Sequence, residues 1–325
     1  MGSLSNYLET KLMDHVFKTL AYTPATNLCV SLHTADPTDA GTGAEVANAN
    51  AYARVIQNVW NAASARLADN NGAITFPQAT GAWGTVTHWA IWDSATWGAG
   101  NMLAYGAFTL SKVIVSGNVP TIATGDLDIS ATTGAISTYL ANKMLNHFLK
   151  TTVYTAPTNI AVALSTANPT DDGSAIIEPV AAAYVRTICN VWNAANATTG
   201  LVDNTAAITT VTATGSWGTI SHAALFDLAT PANWVASTVY ALGAFAKPVT
   251  QNGYHYEVTT AGTSAATEPT WPTVVGNTVV DGTVTWTCRR YAGNMLWYGT
   301  ISPSQLVGSN DFMEWSAGSF DVTLD

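Results

Sequence analysis

Charge is what this sequence has least of. Of its 325 residues only 11 are Lys or Arg and 21 are Asp or Glu, so charged residues make up 10% of the chain, against about 25% in ordinary globular proteins. A nucleic-acid partner is thereby excluded, because phosphate backbones are held through Lys and Arg contacts, and here the formal net charge is −10. Cysteine is scarcer still. Cys29, Cys189 and Cys288 are three, with no CxxC pair, so neither a zinc site nor a disulfide framework is expected, only buried inert thiols. No apolar run reaches the length of a bilayer crossing, so membrane insertion is not expected. The first residues carry no basic–apolar leader, which predicts a soluble chain made in a cytoplasm. HExxH, GxSxG and glycine-rich phosphate loops are also missing, and we expect no metal, no cofactor and no catalytic residues.

In place of charge stand Ala, Thr, Asn, Gly and Ser, with 12 Trp and 12 Tyr. Apolar residues reach 48%, which excludes a disordered chain. A polar but weakly charged surface suits a protein pressed against neighbours, since a buried charge costs several kcal/mol unless paired. An oligomeric or assembled state is therefore expected.

The strongest signal is internal. Shifted by 132, Leu4-Ser5-Asn6-Tyr7-Leu8 meets Ile136-Ser137-Thr138-Tyr139-Leu140, and Lys11, His15 and Lys18 meet Lys143, His147 and Lys150. Tyr52, Arg54 and Val59-Trp60-Asn61 likewise meet Tyr184, Arg186 and Val191-Trp192-Asn193. At a shift of 134, Trp83-Gly84-Thr85, His88 and Asp93 meet Trp217-Gly218-Thr219, His222 and Asp227. Gly100-Asn101-Met102-Leu103 then meets Gly293-Asn294-Met295-Leu296 at 193, which leaves 59 extra residues in the second copy. The chain is a tandem duplication. Its expected domains are residues 1–132, residues 133–230 with 292–325, and an inserted module at 231–291.

Each copy opens on an amphipathic helix, Leu8, Leu12, Val16 and Leu20 recurring every fourth residue, with Asn6 and Glu9 as a candidate capping box. Period two follows. Leu28, Val30 and Leu32 alternate with Cys29, Ser31 and His33, and further short strands are expected at Tyr52–Trp60, Ala73–Phe76, Thr85–Trp92, Met102–Thr109 and Asp126–Ser130. The fold class expected is mainly β: two antiparallel sandwich or jelly-roll-like domains, each with an N-terminal helix, plus a small β module.

The insertion reads differently. Asn252-Gly253 and Asp281-Gly282 mark tight turns between apolar runs, and rings crowd it at Trp234, Tyr240, Tyr254, Tyr256, Trp271 and Trp286. These rings either build the module's own core or stack on sugar faces. Trp234, Tyr254 and Trp271 are the candidates for glycan contact, with Tyr240, Tyr256 and Trp286 assigned to the core. The arrangement resembles small chitin-binding-type carbohydrate modules, and similar segments occur as insertions in phage virion proteins.

The repeat carries a resemblance of its own. Leu4-Ser5-Asn6-Tyr7-Leu8-Glu9, Ser31-Leu32-His33-Thr34-Ala35-Asp36-Pro37-Thr38-Asp39, Trp83-Gly84-Thr85 and Gly125-Asp126-Leu127-Asp128-Ile129 are similar to a family of tailed-bacteriophage virion proteins, tail-fibre or decoration in type. That resemblance implies a structural protein of the virion exterior, partnered by capsid or tail proteins. Two other classes stay open: a free carbohydrate-binding protein and a glycan-degrading enzyme. Against the enzyme, His88 and Asp93 lie five apart on one expected strand, which sends their side chains to opposite faces.

Overall fold

The computed structural model describes residues 2–131, 135–150, 152–180 and 182–324. The first helix, α1, runs Asn6–Phe17. Its cap is Ser5 rather than Asn6: the Ser5 hydroxyl accepts from the Leu8 N–H at 3.3 Å, and Asn6 is the first helical residue. Short hydroxyl side chains reach the third helical N–H more easily than a residue already inside the turn. The second helix, α2, spans Thr138–Lys150 and is capped by its matching residue, Ser137, whose hydroxyl accepts from Leu140 N–H at 3.1 Å. Leu8, Leu12, Met13 and Val16 are buried on α1, and Leu140, Met144, Leu145 and Phe148 on α2.

The helix is followed in each repeat by the same four antiparallel strands. In the first, Cys29–His33 lies between Val55–Ile56 and Gly84–Trp92, and the latter pairs with Met102–Ile114. In the second, Ala161–Ser165 lies between Thr187–Ile188 and Gly218–Phe226, which pairs with Met295–Val307. Even the irregularities recur: the register slips at Val86/His88 and Ile91/Trp92 in one copy, and at Ile220/His222 and Leu225/Phe226 in the other. The first sheet continues through Gly2–Leu4, Asp128–Ser130 and Leu67–Asp69 to seven strands. The mainly β class with a helix opening each copy is thus the architecture of the molecule.

Two strands show how tertiary contacts set local detail. The alternating stretch at 28–33 forms the strand Cys29–His33, which is buried on both faces. Its polar side is satisfied internally, Ser31 Oγ lying 2.8 Å from His33 Nε2, and His33 Nδ1 2.7 Å from the Gly43 carbonyl. The expected strand Tyr52–Trp60 shrinks to Val55–Ile56. Side chains replace ladder bonds there, as where Leu28 N–H donates to Asn58 Oδ1 at 2.9 Å.

By compactness the chain divides into two units that cross the repeats. One contains residues 1–156, 193–203 and 321–325, and the other residues 157–192 and 204–320. Trp60, Phe76, Leu103 and both helices supply the core of the first. In the second, Tyr184, Trp217, Ile220 and Met313 form one cluster, and Ile176, Ala224, Phe226 and Met295 another. The inserted module has a third cluster to itself. All three thiols are buried, and burial pushes each of them up from its ordinary value.

Candidate functional site

One buried guanidinium in each repeat fixes the ends of the loop in which the repeats differ. Arg54 donates to Glu45 through Nε and Nη2 at 2.8 and 2.7 Å, and its Nη1 donates to the carbonyls of Ser94 and Ala99 at 2.8 and 2.9 Å. Arg186 does the same with Glu178 at 3.0 and 2.6 Å, and with the carbonyls of Leu228 and Ala292 at 2.8 and 2.9 Å. Each guanidinium lies over a ring, Trp92 at 4.1 Å and Phe226 at 3.8 Å. A tyrosine completes each set: Tyr52 and Tyr184 donate to the glutamate and accept from Leu32 and Leu164 N–H. Burial alone would raise the Glu178 carboxyl, but the Arg186 charge and hydrogen bonds, with His255 and the Tyr184 hydroxyl, together outweigh it and hold the group below the usual carboxylate range. Fork-to-carboxylate geometry of this kind is both strong and directional.

Ser94 and Ala99 bracket a four-residue turn, whereas Leu228 and Ala292 bracket the insertion. The same two backbone positions are held whether the loop is short or long. The Asp of the recurring His–Asp pair serves this junction too. Asp93 accepts from the N–H and side-chain amide of Asn101, each at 2.7 Å, and Asp227 from those of Asn294 at 2.6 and 2.8 Å. His88 and His222 instead contact the neighbouring hydroxyls of Thr87 and Ser221. The structure does not bring either His and Asp together.

Within the insertion, the strands Phe245–Ala246, His255–Thr260, Val284–Arg289 and Thr278–Asp281 form one antiparallel sheet in that order. Of the two expected tight turns, Asp281-Gly282 is present, closing Thr278–Asp281 onto Val284–Arg289, whereas Asn252-Gly253 lies within the longer connection 247–254 between Phe245–Ala246 and His255–Thr260. Gly253 has a φ of +83° beside Asn252, whose Oδ1 accepts from Tyr254 N–H. At Gly282 (φ +64°) an added Cβ would lie 2.4 Å from the Thr263 carbonyl, so only glycine fits.

The rings do not share one role. Tyr256 and Trp286 are fully buried, with Tyr240 packed against them, as core residues should be. Trp234 joins them. It is 7% exposed, and its Nε1 donates to Asp281 Oδ2 at 2.7 Å, beside Trp286 Nε1 at 3.1 Å. That indole N–H finds its acceptor inside the module, and most of the Trp234 side chain is covered there. Trp271 is half-buried, 4.2 Å from the Tyr256 centroid, with Nε1 tied to Glu268 at 2.8 Å. Tyr254 is half-buried with the Arg290 guanidinium 5.5 Å from its centroid.

Sequence reasoning missed two things. The Glu–Arg pairs escaped because Glu45 and Glu178 stand 133 apart while the arginines stand 132 apart; a one-residue slip hid the match. The second is a cleft of about 860 Å³ in the first unit, bordered by Tyr7, Lys11, Asp39, Arg54 and Trp97. Trp97 is 44% exposed there, fixed by an Nε1 bond to the Val46 carbonyl at 2.8 Å. The available signal was a lone Trp in the small-residue turn Ala95-Thr96-Trp97-Gly98.

Fold and site together define a tandem-repeat, mainly β protein that carries an extra module on one anchored loop. A family model described as podophage GP4 fiber I protein gp80 matches residues 3–130 and again residues 135–253. The chain belongs to this family of phage fibre proteins and is a component of the virion. The second match ends at residue 253, inside the inserted module. No curated protein matches the chain.

Proposed function

We propose that this chain is a non-enzymatic accessory on the outside of the particle, at the tail and its fibres or as head decoration, with the inserted module turned toward host-surface glycans. The observation that carries the reading is the placement of the module. It has its own sheet and its own core, and it leaves the repeat at two carbonyls held by one arginine. Such an element adds a surface without altering the repeat that bears it. Tyr254 and Trp271 are its glycan-contacting residues.

Magnitudes set the mode of binding. A half-exposed ring covers about 100 Å² of sugar, roughly 2.5 kcal/mol gross, while association itself costs at least about 4 kcal/mol. One module binds weakly, and copies arrayed on a particle bind through avidity. The test replaces Tyr254 and Trp271 together with Ala in assembled particles. The expected result is normal assembly with adsorption to cells or purified surface polysaccharide reduced tenfold or more. Normal adsorption by particles carrying the double variant would leave a purely structural protein.

A further inference from the structure

The two helices hold one another's repeats through reciprocal contacts. Asp14 on α1 accepts from the N–H of Ala195 at 2.8 Å. The matching residue of α2, Asn146, accepts from the N–H of Ala63 at 2.9 Å, and Ala63 and Ala195 are themselves matching positions. His15 Nε2 lies 2.8 Å from the Tyr154 carbonyl, and His147 Nε2 lies 3.0 Å from the Tyr22 carbonyl. The two imidazoles stack between these bonds, centroids 4.8 Å apart and planes within 14°. Every one of these residues lies within one compact unit.

The chemistry of the histidine pair leaves one arrangement. Tyr22 N–H donates to His15 Nδ1 at 3.2 Å and Tyr154 N–H to His147 Nδ1 at 3.1 Å. A backbone N–H can only donate, so each Nδ1 accepts, and each Nε2 must carry the proton given to a carbonyl of the other repeat. Both rings are neutral and both nitrogens of each are used. Residue i of one copy meets residue j of the other and j meets i, which is the signature of an isologous two-fold contact. The exchange of Asp14 for Asn146 fits it, because the shared requirement is one side-chain oxygen aimed at a backbone N–H.

We propose that the side of this helix carrying Asp14 and His15 is a docking surface for a second copy of the repeat, and that the present chain is such a dimer with its halves joined by a linker. The linker serves to keep the partner at high local concentration; the reciprocal bonds specify the pairing.

The test expresses the chain as two polypeptides in one cell, residues 1–131 and 135–325, with a tag on the first only. The expected result is a one-to-one complex that co-purifies and survives dilution to micromolar concentration. Asp14→Ala and Asn146→Ala should each weaken pairing on the order of tenfold, while Lys112→Ala, on an exposed stretch of the Met102–Ile114 strand, should leave it unchanged. The same two substitutions in the uncut chain should keep its circular dichroism, which separates failed docking from failed folding. Halves that purify apart, that are insoluble together, or that pair equally well after both helix substitutions would overturn the proposal.

Discussion

The two repeats of this chain share a strand order, a pair of register slips and a buried arginine, yet one closes its loop in four residues and the other carries a module there. The difference shows where a fold can grow. What Arg54 and Arg186 hold is not the loop but its two ends, Ser94 with Ala99 and Leu228 with Ala292. Once those carbonyls are fixed, the length between them is of little consequence to the sheet, since loop-closure entropy rises only slowly with length. The flanking strands Gly218–Phe226 and Met295–Val307 keep the pairing of their counterparts.

The most damaging way to test this likeness is to remove the arginines. Arg54→Ala and Arg186→Ala each leave a mostly buried glutamate without its partner and free two carbonyls, a change that costs about 3–5 kcal/mol. We expect similar losses for the two variants in urea titration of the whole chain. If Arg186→Ala released only the inserted module while Arg54→Ala destabilised its whole repeat, the two anchors would not be equivalent.

A smaller effect separates the repeats by pH. His255, on the module, has no counterpart in the first copy; burial pushes it down to about 4, Glu178 opposing and Arg186 and Lys247 reinforcing the shift. Its Nδ1 is buried without a hydrogen-bond partner. An unfolded histidine protonates near 6.5, whereas this one resists until about 4. Its contribution is therefore whole above pH 6.5 and is lost progressively as pH falls toward 4, roughly 3 kcal/mol in all. The second repeat and its module should lose amide-exchange protection across that range, and His255→Gln should flatten the change. Equal loss in the variant would place the acid sensitivity elsewhere. His147, pushed down by burial with His15 stacked on it, gives a weaker loss of the same sign in the helix pair.

Much of this is legible in the sequence because it is written twice. Matching His15 to His147 and Trp60 to Trp192 locates the copies, and the step in shift locates the insertion to within a few residues. The period-two runs give the central strands. What escapes are features set by tertiary contact. No local pattern distinguishes Ser5 from Asn6 as a cap until the helix start is fixed. Nothing in the alternation at Cys29–His33 announces that His33 will be satisfied by the Gly43 carbonyl. Among the insertion's rings, strand position places Tyr256 and Trp286 inside, but Trp234 precedes the first strand. Residues far along the chain draw it in, Asp281 by accepting from its indole N–H and the Lys247 carbonyl by accepting from its backbone N–H.

The gentlest change sharpens the comparison most. Replacing residues 229–291 with the first repeat's Ala95-Thr96-Trp97-Gly98 would give the second copy the short loop at unchanged anchor points. Leu228 and Ala292 remain, so Arg186 keeps both carbonyls. The exchange removes the bonds that tie the module to its own repeat, among them Thr230 Oγ1 accepting from the Arg186 N–H, Arg290 on the Ile176 carbonyl and Tyr291 on the Asp172 carbonyl. Hydrogen bonds of this kind are worth about 1 kcal/mol each in net terms, and the shorter loop offsets part of that through closure entropy. The exchanged protein should therefore fold cooperatively with a midpoint within a few degrees of the parent. It should also show Trp97's counterpart half-exposed, measurable by iodide quenching. A protein that unfolds, or whose second sheet loses protection from amide exchange, would mean that the module is part of the repeat's structure rather than cargo on its loop.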